Sequence, residues 1–216
     1  MKTDFGMREL LDGDPIERAR KRFLKSRVME WKGEGVVTPL IELANHAADG
    51  LAYASGAQHR LEIRGTAQDE ILVDYGRRDL FLIFRIFGFA VRQPQAYSVP
   101  MRARLDGMEI LIGRNTTVHS RRGPYLLPRT QRDGNNLVLS YLTIGSPKTP
   151  RLPREIFQIL MREAGAQKPD RAFDHVLHYN RRKFLDLLAA LEAQEGPMIL
   201  TLRRMALCQL ETMVTQ

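Results

Sequence analysis

The sequence predicts an α+β fold with N-terminal helices, a central and mostly antiparallel β-sheet of hairpins, and a C-terminal segment of three helices. Within residues 99–144, Met101, Ala103 and Leu105 alternate with Arg102 and Arg104 before a turn dipeptide, which is the period of a half-buried strand. After residue 153 apolar residues instead recur at helical spacing. Between these regions, a proline-rich connector over residues 145–153 favours a boundary between a lobe of residues 1–146 and a helical lobe of residues 151–216. The two lobes could equally pack as one domain.

The first predicted element is a basic helix that begins at Asp14-Pro15. Asp14 is a suitable N-cap, proline is favoured at the first helical position, and Glu17 could reach back to the cap. Between positions 14 and 32 there are seven basic and three acidic residues, so this helix could lie along phosphates or simply be solvated. Helical spacing predicts a buried stripe of Ile16, Ala19, Phe23, Val28 and Trp31, and Gly33 and Gly35 end the helix.

Residues 38–87 predict two helices separated by a second hairpin. Thr38-Pro39 begins a helix whose alanine-rich side includes Ala44, Ala47 and Ala48, and in which His46 has no assigned role. Residues 59–64 and 70–75 predict two short strands of one hairpin. Asp79 could cap a helix over residues 80–87, although so short an apolar run would also fit a buried strand.

The clearest single signal is the hairpin around Asp106-Gly107, a dipeptide that suits the type I′ turn between two strands. Its arms are Arg102–Leu105 and Met108–Ile112, and the second arm is more continuously apolar, so we expect it to lie deeper. Another turn signal at 133–136 precedes a run from Leu137 to Ile144 that is rich in strand-forming residues.

Three helices follow the connector, and we expect them to pack as a small bundle or against the sheet. Pro153 suits the first turn of the first helix, which Gly165 ends. Pro169 begins the longest helix, and Gly196-Pro197 separates it from the last one.

Composition favours a globular protein with an anionic partner. The 216 residues carry a formal net charge of +8, which comes mostly from arginine, although a GC-rich coding sequence would also favour arginine over lysine. The single cysteine, Cys208, excludes an intrachain disulfide and fits a reducing compartment. We find no signal peptide, and the longest apolar run is too short and too charged for a membrane span. We therefore expect a soluble, cytoplasmic protein.

The candidate functional region is an arginine-bearing excursion from the sheet. Residues 114–132 contain five arginines and no Asp or Glu, and Gly123-Pro124 and Pro128 predict an irregular loop. Guanidinium groups bind phosphate through a planar fork, and a tyrosine beside them could stack on a base. The alternatives are a solubilising loop, or arginines that pair with acids elsewhere in the fold. The predicted nucleic-acid-binding residues are Arg114, Arg121, Arg122, Tyr125, Arg129 and Arg132 in this loop and Arg18, Lys21, Arg22 and Lys25 on the basic helix.

No pattern for a specific chemistry stands out. The sequence has no nucleophile-elbow, phosphate-binding or dinucleotide-binding glycine motif, and Cys208 fits a helical core position. His175 and His178, with Asp174, could share a metal ion, but no third ligand is evident and nearby arginines would repel a cation. We predict no cofactor and no catalytic residue.

Three hypotheses remain open. The leading one is a nucleic-acid-binding protein without catalytic activity, for DNA or RNA. The second is a structural subunit of a larger assembly, such as a phage or virion particle, a multiprotein complex or a homo-oligomer, whose arginines meet a partner's acids. The third is a metal-dependent nuclease, for which Asp69, Glu70, Asp74 and Glu109 would supply carboxylates.

Overall fold

A computed structural model of the chain confirms the α+β class. Within the residues that it describes, the chain has five helices and thirteen short strands. These residues are 14–31, 34–37, 44–55, 61–63, 65–66, 69–74, 79–90, 95–105, 107–114, 119–122, 125–166 and 168–214.

The chain divides into two compact units. The smaller unit comprises Gly6–Arg78 and Leu82–Phe89, and the larger comprises Met1–Phe5, Asp79–Phe81 and Ala90–Gln216. The connector at 145–153, which the sequence marks as a boundary, lies inside the larger unit.

The smaller unit begins with helix α1 (Pro15–Arg27), whose N-terminus is capped as predicted. The Asp14 carboxylate accepts hydrogen bonds from the backbone N–H groups of Ile16 (3.3 Å) and Glu17 (3.2 Å). The Glu17 carboxylate lies 3.3 Å from Nη1 of Arg20, its neighbour one turn later. The helix therefore begins where the sequence places it.

The predicted end of this helix is wrong. The helix stops at Arg27, and Val28–Trp31 forms strand β1, which pairs antiparallel with β2 (Glu34–Val37). Val28 lies directly opposite Val37 in this pair. The β-branched and aromatic residues of this segment favour strand geometry, and a facing strand supplies their backbone partners.

The predicted buried stripe of α1 is also wrong. Ile16 is 73% exposed and Phe23 is 61% exposed, and Ala19 is exposed between them. Arg18 and Arg22, on the opposite side, are only half-exposed. The more covered side of the helix is therefore its more polar side.

The described residues of the smaller unit also contain a three-stranded sheet in the order β4-β3-β5, made of β3 (Asn45–Ser55), β4 (Leu61–Ile63) and β5 (Leu72–Asp74). The predicted alanine-rich helix is wrong from Asn45 onward, and its first residues lie outside the described part of the chain.

Gly50 permits the close pairing of β3 with β5. A Cβ atom there would lie 2.7 Å from the carbonyl carbon of Val73, so the two strand backbones approach closely. The predicted hairpin is wrong as well, because β3 lies between β4 and β5: it runs antiparallel to β4 and parallel to β5. His46 meets the carbonyl oxygen of Val73 through Nδ1 at 3.1 Å, a structural contact.

Helix α2 (Leu80–Phe87) confirms the helical alternative for that apolar run. Its first five side chains are buried. Gly88 follows with a φ of +81°, and its N–H donates to the carbonyl oxygen of Phe84.

In the larger unit, the central sheet has the order β11-β12-β8-β7. The predicted hairpin is confirmed, since Leu105 faces Met108 and Gly107 has a φ of +77°. The second arm, Met108–Ile112, alternates buried and half-buried residues, so it lies deeper than the first arm, as expected. The strands of this sheet are β7 (Met101–Leu105), β8 (Met108–Ile112), β11 (Thr130–Asp133) and β12 (Asn136–Leu139), of which β12 runs parallel to β8 and the other neighbours are antiparallel.

The predicted single strand from Leu137 to Ile144 is wrong. It divides into β12 and β13 (Thr143–Gly145), and β13 pairs with β6 (Ala96–Tyr97) in a different sheet. Ser140 lies at the break, where its N–H donates to the Arg129 carbonyl oxygen and its Oγ accepts from the Arg129 N–H.

The three C-terminal helices are confirmed: α3 (Leu152–Glu163), α4 (Pro169–Glu192) and α5 (Pro197–Val214). Buried Asn180 of α4 joins the helices to the strands, because its side chain accepts from the Val99 N–H and donates to Ser98 Oγ and to the Val176 carbonyl oxygen. Phe81 and Phe184 stack nearby, with ring centroids 5.8 Å apart. The helices thus pack on one another and on the β6–β13 pair.

Candidate nucleic-acid interface

The arginine-bearing segment contains a β-ribbon, so the expectation of an irregular loop is wrong. Strands β9 (His119–Arg122) and β10 (Tyr125–Pro128) pair antiparallel as a two-stranded sheet of their own. Pro128 is tolerated because it is the last residue of its strand, where a missing N–H interrupts no further pairing. Gly123-Pro124 lies outside the described part of the chain.

The register of this arginine ribbon (residues 119–128) places three of the predicted residues together. Arg122 is paired with Tyr125 across the two strands, and Arg121 with Leu126. Arg121 and Arg122 are thus the last two residues of β9 before the connection. The backbone alone brings them together with Tyr125 at one end of the ribbon.

The ribbon is an excursion from the central sheet, as the sequence indicates. The chain leaves the sheet after β8 and returns to it through β11 and β12. In the sequence the ribbon therefore lies between β8 and β12, which are neighbouring strands of that sheet. Strand β11 forms an edge of that sheet and all four of its residues are exposed. Arg129 and Arg132 lie at this edge, and both are exposed.

Arg132 has an intramolecular contact that phosphate would have to share. Its Nε donates to the carbonyl oxygen of Gly134 at 3.2 Å. A Cβ atom on Gly165, just beyond the end of α3, would lie 4.0 Å from its Nη2. The guanidinium is therefore close to the carbonyl end of a helix, where a cation is favoured electrostatically.

Arg114 lies apart from the exposed arginines. Its Nε is 2.8 Å from Oδ2 of Asp79, and the two side chains are only 15% and 7% exposed. The Nε–H group has no well-aligned hydrogen bond, so the contact is an ion pair set by proximity. This geometry favours, for Arg114, the alternative in which an arginine of this segment pairs with an acid elsewhere in the fold.

The basic helix α1, which carries the other four predicted residues, belongs to the smaller unit. Lys21 is exposed, Arg18 and Arg22 are half-exposed, and the Lys25 side chain lies outside the described part of the structure. A Cβ atom on Gly88 would lie 3.3 Å from Nη1 of Arg22, so that guanidinium lies against the end of α2. Lys21 is thus the most accessible of the three described candidates.

Sequence reasoning did not select Arg104, which is exposed on β7. It lies opposite Glu109 in the strand register. Glu109 forms an ion pair with Arg102, whose Nε lies 3.1 Å from Oε1 of Glu109. The alternation of arginines with Met101 and Ala103 is the signal that places it on the outer face of the sheet. Acidic Glu109 makes that face less suited to phosphate than the acid-free ribbon.

The residues weighed for metal chemistry do not form a site in the described part of the chain. There, no three His, Cys, Asp or Glu side chains are placed to hold a metal ion together. Asp174 instead forms an ion pair with Arg154 at 2.6 Å, and Glu70 accepts a hydrogen bond from Asn45. His175 and His178 are exposed on α4.

Two further observations concern membrane spans and similarity to known proteins. None of the helices in the described ranges is long and apolar enough to cross a bilayer. No protein-family model, curated protein or solved structure matches this chain.

Proposed function

We propose that this protein binds nucleic acid without catalysing a reaction, and that it holds the phosphate backbone with the arginine ribbon. The observation that carries the proposal is the ribbon itself, a separate pair of strands with Arg121, Arg122 and Tyr125 at one end. A two-stranded ribbon fits the major groove of a duplex, and an arginine fork fits a phosphate. A tyrosine beside arginines can also stack on an unpaired base.

The surroundings of the ribbon support the same assignment. Arg129 follows the ribbon directly, and its backbone is held by both hydrogen bonds to Ser140 while its side chain is exposed. Arg132 is exposed on the adjoining edge strand. The chain's net charge of +8 adds a long-range attraction to polyanions. Lys21 and its basic neighbours on α1 would act as a second strip.

We assign Arg114 a different role within this proposal. Because its guanidinium is mostly buried against Asp79, it supports the base of the excursion rather than touching phosphate. The phosphate contacts then fall to Arg121, Arg122 and Arg129, with Arg132 adding to them at the sheet edge.

The proposal is tested by fluorescence anisotropy with labelled single- and double-stranded oligonucleotides over a series of salt concentrations. Each phosphate contact on a duplex contributes about 0.9 to the slope of log affinity against log salt. We expect the double variant R121Q/R122Q to lower this slope by about 2. The matched control R182Q/R204Q removes the same charge from exposed positions on α4 and α5 and should lower it much less. Equal effects of the two double variants would contradict the proposal.

A structural subunit of a larger assembly is the second candidate. The observation that favours it is the apolar side of α1, where Ile16 and Phe23 are largely exposed. Size-exclusion chromatography with light scattering in the absence of nucleic acid tests the homo-oligomeric form of this candidate. A defined oligomer favours it, and a monomer at all concentrations excludes it.

A further inference from the structure

Helix α1 carries its apolar side outward, the reverse of a helix that packs on its own core. Ile16, Ala19 and Phe23 are exposed, whereas Arg18 and Arg22 are the more covered residues. The N-terminus of the helix is nonetheless fixed by the Asp14 cap. A preformed helix therefore presents a narrow apolar stripe to its surroundings.

Over residues 16–23 the spacing of this stripe matches a helix–helix seam, and the next d position of the helix is Ser26. Ile16, Ala19 and Phe23 occupy positions i, i+3 and i+7, which are the a, d and a positions of a heptad. Arg20 and Arg27 then occupy the two e positions beside the seam. The Arg20 side chain is 75% exposed, and the Arg27 guanidinium lies 5.4 Å from the centre of the Phe23 ring.

Further apolar residues are exposed near the C-terminal end of the helix. Val28 and Val37 are directly paired across β1 and β2, and they are 43% and 52% exposed. Leu24, one residue beyond Phe23 and on another side of the helix, is 56% exposed.

We propose that α1 docks an amphipathic helix of another protein, with the apolar side of that helix on Ile16, Ala19 and Phe23 and its acidic residues facing Arg20 and Arg27. Charges at e and g positions determine which helices pair, and arginines at both e positions select a partner with carboxylates there. This inference does not depend on the arginine ribbon, which belongs to the other unit.

Charge also argues against the other occupants. A second copy that packed antiparallel on this seam would place its own Arg20 and Arg27 against those of the first, so that like charges would face one another. A helix lying in a bilayer would also bring the exposed Arg20–Glu17 pair near the membrane. The long Arg20 side chain could extend to the membrane–water interface, whereas the shorter Glu17 carboxylate could not. Nucleic acid would leave the apolar stripe uncovered.

The test uses the full-length protein and two labelled helical peptides of equal length. Both have leucine at a and d positions, and one has glutamate and the other lysine at the flanking positions. We expect saturable binding of the glutamate peptide and not of the lysine peptide. Phe23→Ser should weaken that binding about tenfold or more, as expected for an interface anchor. Leu207→Ser, an exposed leucine on α5, is the matched control and should leave it unchanged.

A charge exchange makes the test specific. The variant R20E/R27E should no longer bind the glutamate peptide and should bind the lysine peptide instead. The control variant R182E/R204E, which has the same change of charge elsewhere, should still prefer the glutamate peptide. Four results would overturn the proposal: no saturable binding by the unmodified protein, no preference between the peptides, sedimentation with phosphatidylserine vesicles that Phe23→Ser abolishes, or self-association that the same variant abolishes. The last two would assign the stripe to a bilayer or to a second copy.

Discussion

Helices α1 and α4 both begin at a proline and differ in what happens to their apolar sides. Each has proline in its first turn, an apolar stripe at helical spacing and several arginines elsewhere. In α4 the stripe is buried, with Phe173 and Phe184 almost completely inaccessible. In α1 the equivalent side chains, Ile16 and Phe23, face outward.

The difference comes from the neighbours of each helix. Helix α4 has 24 residues, about twice the average length of a helix in globular proteins. It packs along both α3 and α5, and Asn180 joins it to the strands. Helix α1 has thirteen residues and is followed at once by a two-stranded sheet. Periodicity therefore predicts that a helix is amphipathic, and only the surrounding elements decide whether its apolar side meets the core or a partner.

The largest expected effect contrasts one phenylalanine from each helix. Phe173→Ala should lower the free energy of unfolding by about 3–5 kcal/mol, because it leaves a cavity beside the Phe157 ring, whose centroid is 5.5 Å away. Phe23→Ala should change it by about 0.5 kcal/mol or less, since the side chain is already exposed. Urea denaturation followed by circular dichroism measures both. Losses of equal size would show that α1 packs on a core through Phe23.

The next contrast lies within the arginine-bearing segment. Arg114→Gln should cost about 3 kcal/mol, because it removes the mostly buried ion pair between Arg114 and the Asp79 carboxylate. Arg129→Gln should cost about 0.5 kcal/mol or less, since that side chain is exposed. Adding Asp79→Asn to Arg114→Gln should recover part of the loss, which a double-mutant cycle in urea detects. Strict additivity of the two changes would contradict the ion pair.

A smaller effect is expected at the polar contact that joins α4 to the strands. Asn180→Ala should cost about 2 kcal/mol, because the Val99 N–H, which donates to Asn180 Oδ1 at 2.8 Å, is left buried without an acceptor. Gln194→Ala, an exposed amide just beyond the same helix, is the control and should be close to neutral. Thermal unfolding compares the two, and equal melting temperatures would contradict the structural role of Asn180.

The smallest expected effect is at the cap of α1. Asp14→Ala should cost about 1 kcal/mol, because the backbone N–H groups of Ile16 and Glu17 lose their acceptor. Native-state hydrogen exchange should show faster exchange in the first turn of α1 and unchanged rates in α4. Equal acceleration in both helices would mean that the cap does not act locally.

Local signals account for the parts of the fold that the sequence predicts correctly. The Asp106-Gly107 hairpin, the Asp14 cap and the Pro169 helix start each depend on a few adjacent residues whose conformational preferences agree with the final structure. The errors arise where a distant segment decides. The alanine-rich run from Asn45 becomes β3 because β4 and β5 flank it, and the end of the predicted Leu137–Ile144 strand pairs with β6 instead.

The candidate site shows the same limit. The acid-free interval is visible in the sequence, and so is the turn signal at Gly123-Pro124. The prolines of this segment are also typical chain breakers, so the local pattern does not predict that β9 pairs with β10. The fate of Arg114 depends on Asp79, which lies far earlier in the chain, so no local pattern could distinguish it from the exposed arginines.

The central claim is that the arginine ribbon holds nucleic acid through phosphate contacts, and the salt dependence of binding by R121Q/R122Q tests it most directly. The account predicts that the unmodified protein binds with a steep linear loss of log affinity against log salt, and that the double variant reduces this slope by about 2 while circular dichroism shows the fold intact. Absent binding, or a slope that R121Q/R122Q leaves equal to that of the R182Q/R204Q control, would contradict it.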